Sequence, residues 1–225
     1  MSAPSLAERL SAVQGEIADA ASAAGRDIAD LTTIVVTKFH PASLIAELFD
    51  LGVRDVGENR HQDAAPKAAE LRELDLRWHF IGQLQSNKAR AVLEYAVDIE
   101  SVDRASLVTA IAAVGVPVDA FIQLNLTADQ NRGGVSEPEL LSLVDAVTAA
   151  NGITLRGLMA VAPLGEEPRR AFERVRLASE RVRTIAPAAT ALSMGMSGDF
   201  REAILEGATH LRIGTAITGK RDSAG

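Results

Sequence analysis

The stretch TTIVVTKFHPASLIAELFDLGVRDVGE, residues 32–58, contains the first complete unit of the fold. A β-branched run from Thr32 ends at Lys38, Pro41 interrupts the chain, and Ala42 to Leu51 then carries apolar residues at helical spacing. A second short run follows from Asp55 to Glu58. Short β-branched runs read as buried strands and the longer periodic stretch between them as a helix. Strand, helix and strand in that order imply parallel pairing through a right-handed crossover.

The alternation continues to the end of the chain. Further strands are expected at Trp78 to Ile81, Ala96 to Val102, Val118 to Asn125, Leu155 to Val161, Ala191 to Met194 and Ala208 to Ile213. Helices are expected at Arg60 to Leu74, Ser86 to Tyr95, Arg104 to Val114, Glu137 to Ala150, Pro168 to Ile185 and Gly198 to Glu206. Eight strands alternating with helices within 225 residues fit the arithmetic of a closed (β/α)₈ barrel, whose usual length is about 250 residues. An open doubly wound sheet is the competing arrangement, but no G-x-G-x-x-G follows the first strand and no G-x-x-x-x-G-K-[ST] occurs anywhere, so its usual nucleotide fingerprints are missing. The expected fold is therefore an α/β, single-domain TIM-type barrel over residues 1–225. It has an additional N-terminal helix within residues 1–25 and a short polar tail at Lys220 to Gly225, with no Pro-rich or Gly-rich linker between.

Composition bounds the function. A hydrophobic content of 47% supplies a sizeable core, and a net charge of −7 argues against a nucleic-acid surface, which needs a basic excess. The absence of cysteine excludes disulfides, Cys-ligated zinc and a thiol nucleophile. The N-terminal segment has charges at Glu8, Arg9, Glu16 and Asp19 that no signal peptide core would carry. No run is long enough to span a membrane. The expectation is a cytoplasmic protein and a monomer, with no nucleic acid, membrane or metal partner.

In a barrel the chemistry collects at the C-terminal ends of the strands. Lys38 ends strand one there, beside Val35, Val36 and Phe39. Desolvation at such a place would disfavour the ammonium form and free an amine that condenses with aldehydes. A snorkelling lysine or an ion-pair partner for Glu58 is the plainer alternative. In LSMGMSGDF, residues 192–200, two glycines and two serines precede a helix, which offers N–H groups and hydroxyls to a phosphate. An ordinary Ser/Gly turn capped by Asp199 would look the same. Gly214 and Thr215 stand after strand eight, where barrels often place the second half of a phosphate clamp. Arg212, inside the apolar eighth strand, requires a partner because a guanidinium stays charged wherever it is put. His79 reads as a ligand contact or as a satisfied core residue, and Arg132-Gly133-Gly134 as a flexible turn or an anion contact.

A lysine on strand one, phosphate loops after strands seven and eight and an arginine within strand eight suit pyridoxal 5′-phosphate, PLP. Its aldehyde would form a Schiff base with Lys38, its phosphate would take the two loops and its ring nitrogen would meet Arg212. A cofactor-free Schiff-base aldolase acting on a phosphorylated sugar uses the same lysine and loops but leaves Arg212 without a role.

The motifs VVTKFHP, GENRHQD, WHFIGQLQSNK, IQLNLTADQNRGGV, RGLMAVAP, LSMGMSGDFREAI and THLRIGTAITG resemble, in order and across nearly the whole chain, the pyridoxal phosphate homeostasis protein family. That family is similar to the N-terminal barrel of alanine racemase. The resemblance implies a PLP-binding barrel that serves intracellular cofactor homeostasis and amino-acid balance, with no firmly established reaction of its own; the preferred role is cofactor binding and delivery, with apo PLP-dependent enzymes as partners. Carried onto this sequence, it makes Lys38 the Schiff-base lysine, Asn59 and Met194 pocket residues, and Ser197 with Gly214 and Thr215 the phosphate clamp. Arg212 would then face the pyridine nitrogen. The sequence departs from the family at Arg132-Gly133 and at Thr218, on the rim of the pocket. A weak amino-acid racemase is the alternative reading, and it needs a second acid on the far face of the cofactor. The one tyrosine, Tyr95, falls at the end of a helix leading into strand four, on the opposite rim.

Overall fold

The computed structural model describes residues 3–129 and 132–219. Its polar tail, Lys220 to Gly225, lies outside the described residues. Eight parallel strands, β1 (Thr32–Val36), β2 (Asp55–Glu58), β3 (Arg77–Phe80), β4 (Asp98–Val102), β5 (Val118–Gln123), β6 (Ile153–Met159), β7 (Ala191–Ser193) and β8 (His210–Ile213), form a closed barrel in sequence order. β1 pairs with β8 as well as with β2, placing Ile34 opposite Arg212 and Val36 opposite Gly57. That ladder removes both free edges, which an open doubly wound sheet would leave exposed.

The helices are α1 (Leu6–Ala23), α2 (Ala42–Asp50), α3 (His61–Glu70), α4 (Ala89–Val92), α5 (Ala105–Ala112), α6 (Leu140–Thr148), α7 (Pro168–Val182), α8 (Phe200–Leu205) and α9 (Thr215–Thr218). Several are shorter than their apolar periodicity suggests. α3 stops four residues before Leu74, and the stretch from Ser86 to Tyr95 divides into a 3₁₀ turn at Ser86–Lys88 and the single turn of α4. α1 starts at a capping box in which the Ser5 hydroxyl accepts from the Glu8 N–H and the Glu8 carboxylate accepts from the Ser5 N–H. Its apolar face, Leu6, Leu10, Val13 and Ile17, packs against α8 and α9, and the Arg9 Nε donates to the Ile217 carbonyl at 2.7 Å. Among the described residues no helix is long and apolar enough to cross a membrane.

Alternate residues of a strand face opposite sides of the sheet. One set, including Val35, Val56, Phe80, Ile99, Ile122, Leu158, Leu192 and Leu211, joins the helices in the main apolar core. The other set fills the barrel and differs in chemistry. Phe121, Met159 and Ala191 make a small apolar cluster, while Asp55, His79, Glu100, Ser193 and Arg212 are linked by polar contacts across the remaining interior. Bulky branched residues dominate a TIM-barrel interior in the general case. Here part of it is ionic, and the ionic part reaches the C-terminal face at Arg212.

Candidate functional site

Lys38 is displaced from its expected position. β1 ends at Val36, and although Thr37 still donates its N–H to the Gly57 carbonyl at 3.0 Å, Lys38 lies in the turn beyond it and is exposed. The expectation that burial would desolvate this amine is corrected accordingly. Phe39, held at φ 69°, turns the chain immediately after Lys38, so the sheet stops before it can cover the side chain. Lys38 is not the partner of Glu58 either. That carboxylate is fully buried and accepts from Lys67 Nζ at 2.8 Å and from the Thr37 hydroxyl at 2.7 Å.

Alternation from Val36 instead carries Lys38 to the mouth of the barrel interior. There it lines a cavity of about 270 Å³ with Val36, Ile81, Met196, Ser197, Gly198, Arg212, Gly214 and Thr215. Five of the seven residues singled out from the sequence, Lys38, Ser197, Arg212, Gly214 and Thr215, therefore share one wall system. Met194 does not line it. Its side chain is fully buried in the main apolar core, and Met196 is the methionine at the cavity. Asn59 is also absent from the lining, yet its Oδ1 is buried without a partner among the described residues, and its backbone lies so close to Gly82 that a Cβ there would sit 2.1 Å from the Asn59 carbonyl oxygen. Thr218 is buried and borders a smaller neighbouring cavity that also includes Lys38, whereas Arg132 and Gly133 line a separate cavity with Asn125 and Thr127.

The loop after β7 is shaped by Gly195, which adopts φ 94° and lies where a Cβ would come within 2.6 Å of the Ala203 Cβ. Asp199 Oδ1 accepts from the Met196 N–H at 2.6 Å and so tightens the turn into α8. The N–H groups of Ser197, Gly198 and Thr215 and the hydroxyls of Ser197 and Thr215 find no hydrogen-bond partner among the described residues. Both charged side chains of the lining, Lys38 and Arg212, are cationic, and no carboxylate shares the wall. Such a cavity favours an anion.

Arg212 is 4% exposed and firmly held. Nη1 donates to Ser193 Oγ at 2.7 Å and Nη2 to the Ala160 carbonyl at 2.8 Å. Its Nε donates to none of the described residues. Burial holds the guanidinium below its ordinary pKa, opposed by the charges of Glu100 and Asp199. A group with so high an intrinsic pKa still remains charged.

Beneath Arg212, Ser193 Oγ contacts Glu100 Oε2 at 2.7 Å, Glu100 Oε1 contacts His79 Nδ1 at 3.1 Å, and His79 Nε2 contacts Asp55 Oδ1 at 2.9 Å. Burial opposes charge on His79, but the hydrogen bonds to Asp55 and Glu100 outweigh it and raise the imidazole to about 9. Both ring nitrogens face carboxylate oxygens, which only an imidazolium can satisfy as a double donor. Burial likewise works against the Glu100 carboxylate, yet the bonded His79, the Arg212 charge and the Ser193 hydroxyl hold its pKa below the ordinary value. Burial lowers His210 to about 4, so it stays neutral.

The two histidines give stability a predictable dependence on pH. The contribution of His79 is complete below its ordinary value of 6.5 and is lost as the pH climbs through about 9, a change of about 3 kcal/mol by linkage. His210 acts in the opposite sense, contributing above 6.5 and losing that contribution as the pH falls toward 4. Urea unfolding is expected to show falling stability from pH 6.5 to 9, and His79→Gln is expected to flatten that limb. Equal stability at pH 6.5 and 9 in the unsubstituted chain would contradict the raised imidazole.

Glu100 and Ser193 were not among the site residues expected from sequence. Their signal was nonetheless present, since Asp98 and Glu100 alternate within DIESV, a strand buried at every position. Tyr95 stacks on His61 with centroids 6.0 Å apart and meets Trp78 edge-on at 6.1 Å, and it is not part of the Lys38 cavity.

Comparison with known proteins agrees with this architecture. Residues 10–222 match the family described as alanine racemase, N-terminal domain. The pyridoxal phosphate homeostasis protein of Pseudomonas aeruginosa is 40% identical over 224 residues, covering 96% of both chains. Its counterpart in Mycobacterium tuberculosis is 38% identical over 239 residues, covering 96% of this chain and 93% of the relative. The solved structure of PipY from Synechococcus elongatus PCC7942, with PLP bound, superposes with a TM-score of 0.85 at 35% identity, covering 96% of this chain and all of that one. Identity at this level, sustained over almost the whole length of each relative and shared with a superposable barrel, makes this chain a member of the pyridoxal phosphate homeostasis protein family.

Proposed function

We propose that the cavity at the barrel mouth binds pyridoxal 5′-phosphate and that the protein holds and supplies this cofactor in intracellular PLP homeostasis and amino-acid balance. One observation carries the reading. A primary amine, a guanidinium with an unpartnered Nε and a set of unpartnered N–H and hydroxyl donors line one cavity whose charged side chains are all cationic. These are the donors that an aldehyde, a pyridine nitrogen and a phosphate monoester require. The relatives named for PLP homeostasis and the PLP-bound PipY structure support the same ligand.

When bound, PLP supplies an aldehyde that amines capture and a conjugated ring that can accept electrons. Lys38 provides the amine for the Schiff base, and its exposed place beside the cavity leaves it open to exchange with other amines. Ser197, Gly214 and Thr215 hold the phosphate. Asn59 is assigned to the pocket through its unpartnered Oδ1. Arg212 meets the ring nitrogen as a cation, which discourages protonation there and weakens the ring as an electron sink. Broad carbanion chemistry is thereby disfavoured. The racemase alternative also lacks support from Tyr95, which packs against His61 and Trp78 away from the cavity. We take the working form to be a monomer in the cytoplasm, with apo PLP-dependent enzymes as recipients.

Titrating the purified chain with PLP, reducing with borohydride and mapping the labelled peptide tests the reading directly. A visible absorbance band and a pyridoxyl group on Lys38 are the expected results. A colourless mixture, or labelling confined to other lysines, would refute it.

A further inference from the structure

We propose that Glu100 and Ser193 are positioning residues for the ligand: through the Ser193 hydroxyl, Glu100 holds the Arg212 guanidinium so that its Nε is presented to the cavity. The inference rests on the reading of that cavity as a PLP site and assigns the device that sets its contact with the ring nitrogen.

The geometry is directional. Ser193 Oγ carries one hydrogen and contacts Glu100 Oε2 at 2.7 Å and Arg212 Nη1 at 2.7 Å. An ionised carboxylate can only accept and a guanidinium can only donate, so the hydroxyl hydrogen points to Glu100 and an oxygen lone pair to Arg212. Glu100 lies 3.8 Å from Arg212 Nη1, too far for a hydrogen bond, and therefore acts through the serine and its own charge. The Ala160 carbonyl takes Nη2. With one N–H of each terminal nitrogen engaged, the planar fork is fixed in orientation, and the Nε–H, which bonds to no described residue, is left for a ligand.

Glu100 is itself fixed from below. His79 holds Oε1, and Asp55 holds the other side of the His79 ring. The chain of contacts thus runs from β2 through β3, β4 and β7 to β8, and every link beyond the partly exposed Asp55 is buried. His79 is also faced by Asp98 at 3.8 Å and interacts with His210, which stays neutral, while Arg77 neutralises Asp98 on the lower rim through a bond of 3.0 Å. Buried ion pairs of this kind are often replaceable by apolar residues without loss of stability. A ladder that spans five strands and ends at a guanidinium in the wall of the cavity has a use for the cation at its end.

Two variants of the full chain test the inference with PLP as the probe. Ser193→Ala removes the link without adding volume, and Glu100→Gln keeps the shape but removes the charge. Ser193→Ala is expected to weaken PLP binding about tenfold, the loss of one hydrogen bond to a charged group. Glu100→Gln is expected to move the pH midpoint of the bound cofactor's absorbance band by about one unit. Neither change follows from a merely structural role, which would lower the melting temperature and leave affinity and midpoint where they are. In the unsubstituted chain, ¹⁵N NMR should give a slowly exchanging Arg212 Nε–H resonance that shifts when PLP is added, a readout that depends on no variant. Unchanged affinity in Ser193→Ala, an unmoved midpoint in a folded Glu100→Gln, or an Nε–H signal indifferent to PLP would overturn the positioning role. If the unsubstituted chain itself fails to bind PLP, the reading of the cavity falls as well, so the two failures are distinguishable.

Discussion

Lys38→Ala is expected to abolish the coloured, borohydride-reducible complex with PLP completely while leaving folding stability within about 0.5 kcal/mol of the unsubstituted chain. The side chain is exposed in a turn, so its removal opens no core cavity. Lys67, which also lies near the end of β1, has its amine engaged by Glu58 Oε1 at 2.8 Å and by the Thr37 carbonyl at 3.2 Å and sits outside the cavity lining. The phosphate donors and Arg212 remain in place, which predicts weaker, non-covalent retention of the cofactor rather than none. Absorbance titration, reduction and peptide mapping, with thermal unfolding alongside, separate these effects. A full-strength band in a folded Lys38→Ala protein would show that the covalent contact lies elsewhere.

Gly157→Ala is expected to cost more than about 4 kcal/mol or to prevent folding altogether. Gly157 in β6 is paired with Ala191 in β7, next to a register shift where β5 meets β6 between Ala120 and Phe121. A Cβ at this position would lie 1.8 Å from the Ala191 carbonyl oxygen and 2.9 Å from its nitrogen. Those are backbone atoms of a neighbouring strand, so no rotamer change relieves the clash, and separating β6 from β7 would open the barrel. Ser193 follows Ala191 by two residues on the same interior face, which ties the close approach to the support of Arg212. Denaturant unfolding decides the matter, and a midpoint equal to that of the unsubstituted chain would contradict it.

Much of this architecture can be read along the chain because its signals are local. The β-branched run before Lys38, the break at Pro41 and the periodicity from Ala42 to Leu51 set one βα unit within about twenty residues, and the pattern recurs seven times. Boundaries are less legible. Leu71 to Leu74 continues an apolar pattern but leaves the helix at Glu70, and Ser86 to Tyr95 has helical spacing yet forms only a 3₁₀ turn and α4. Tertiary packing overrides weak propensity in such short segments.

The sequence by itself determined the alternation of strand and helix, the chemical types placed at the strand ends and the family to which the chain belongs, since each depends on residues close together in order. Only the tertiary structure decided that β1 meets β8, that Lys38 passes beyond the sheet into solvent, that Met196 rather than Met194 reaches the cavity, and that Asp55, His79, Glu100, Ser193 and Arg212 join into one ladder. The reason is physical. Which side chains meet inside a closed barrel depends on the stagger of all eight strands at once, and no local stretch of the chain carries that information.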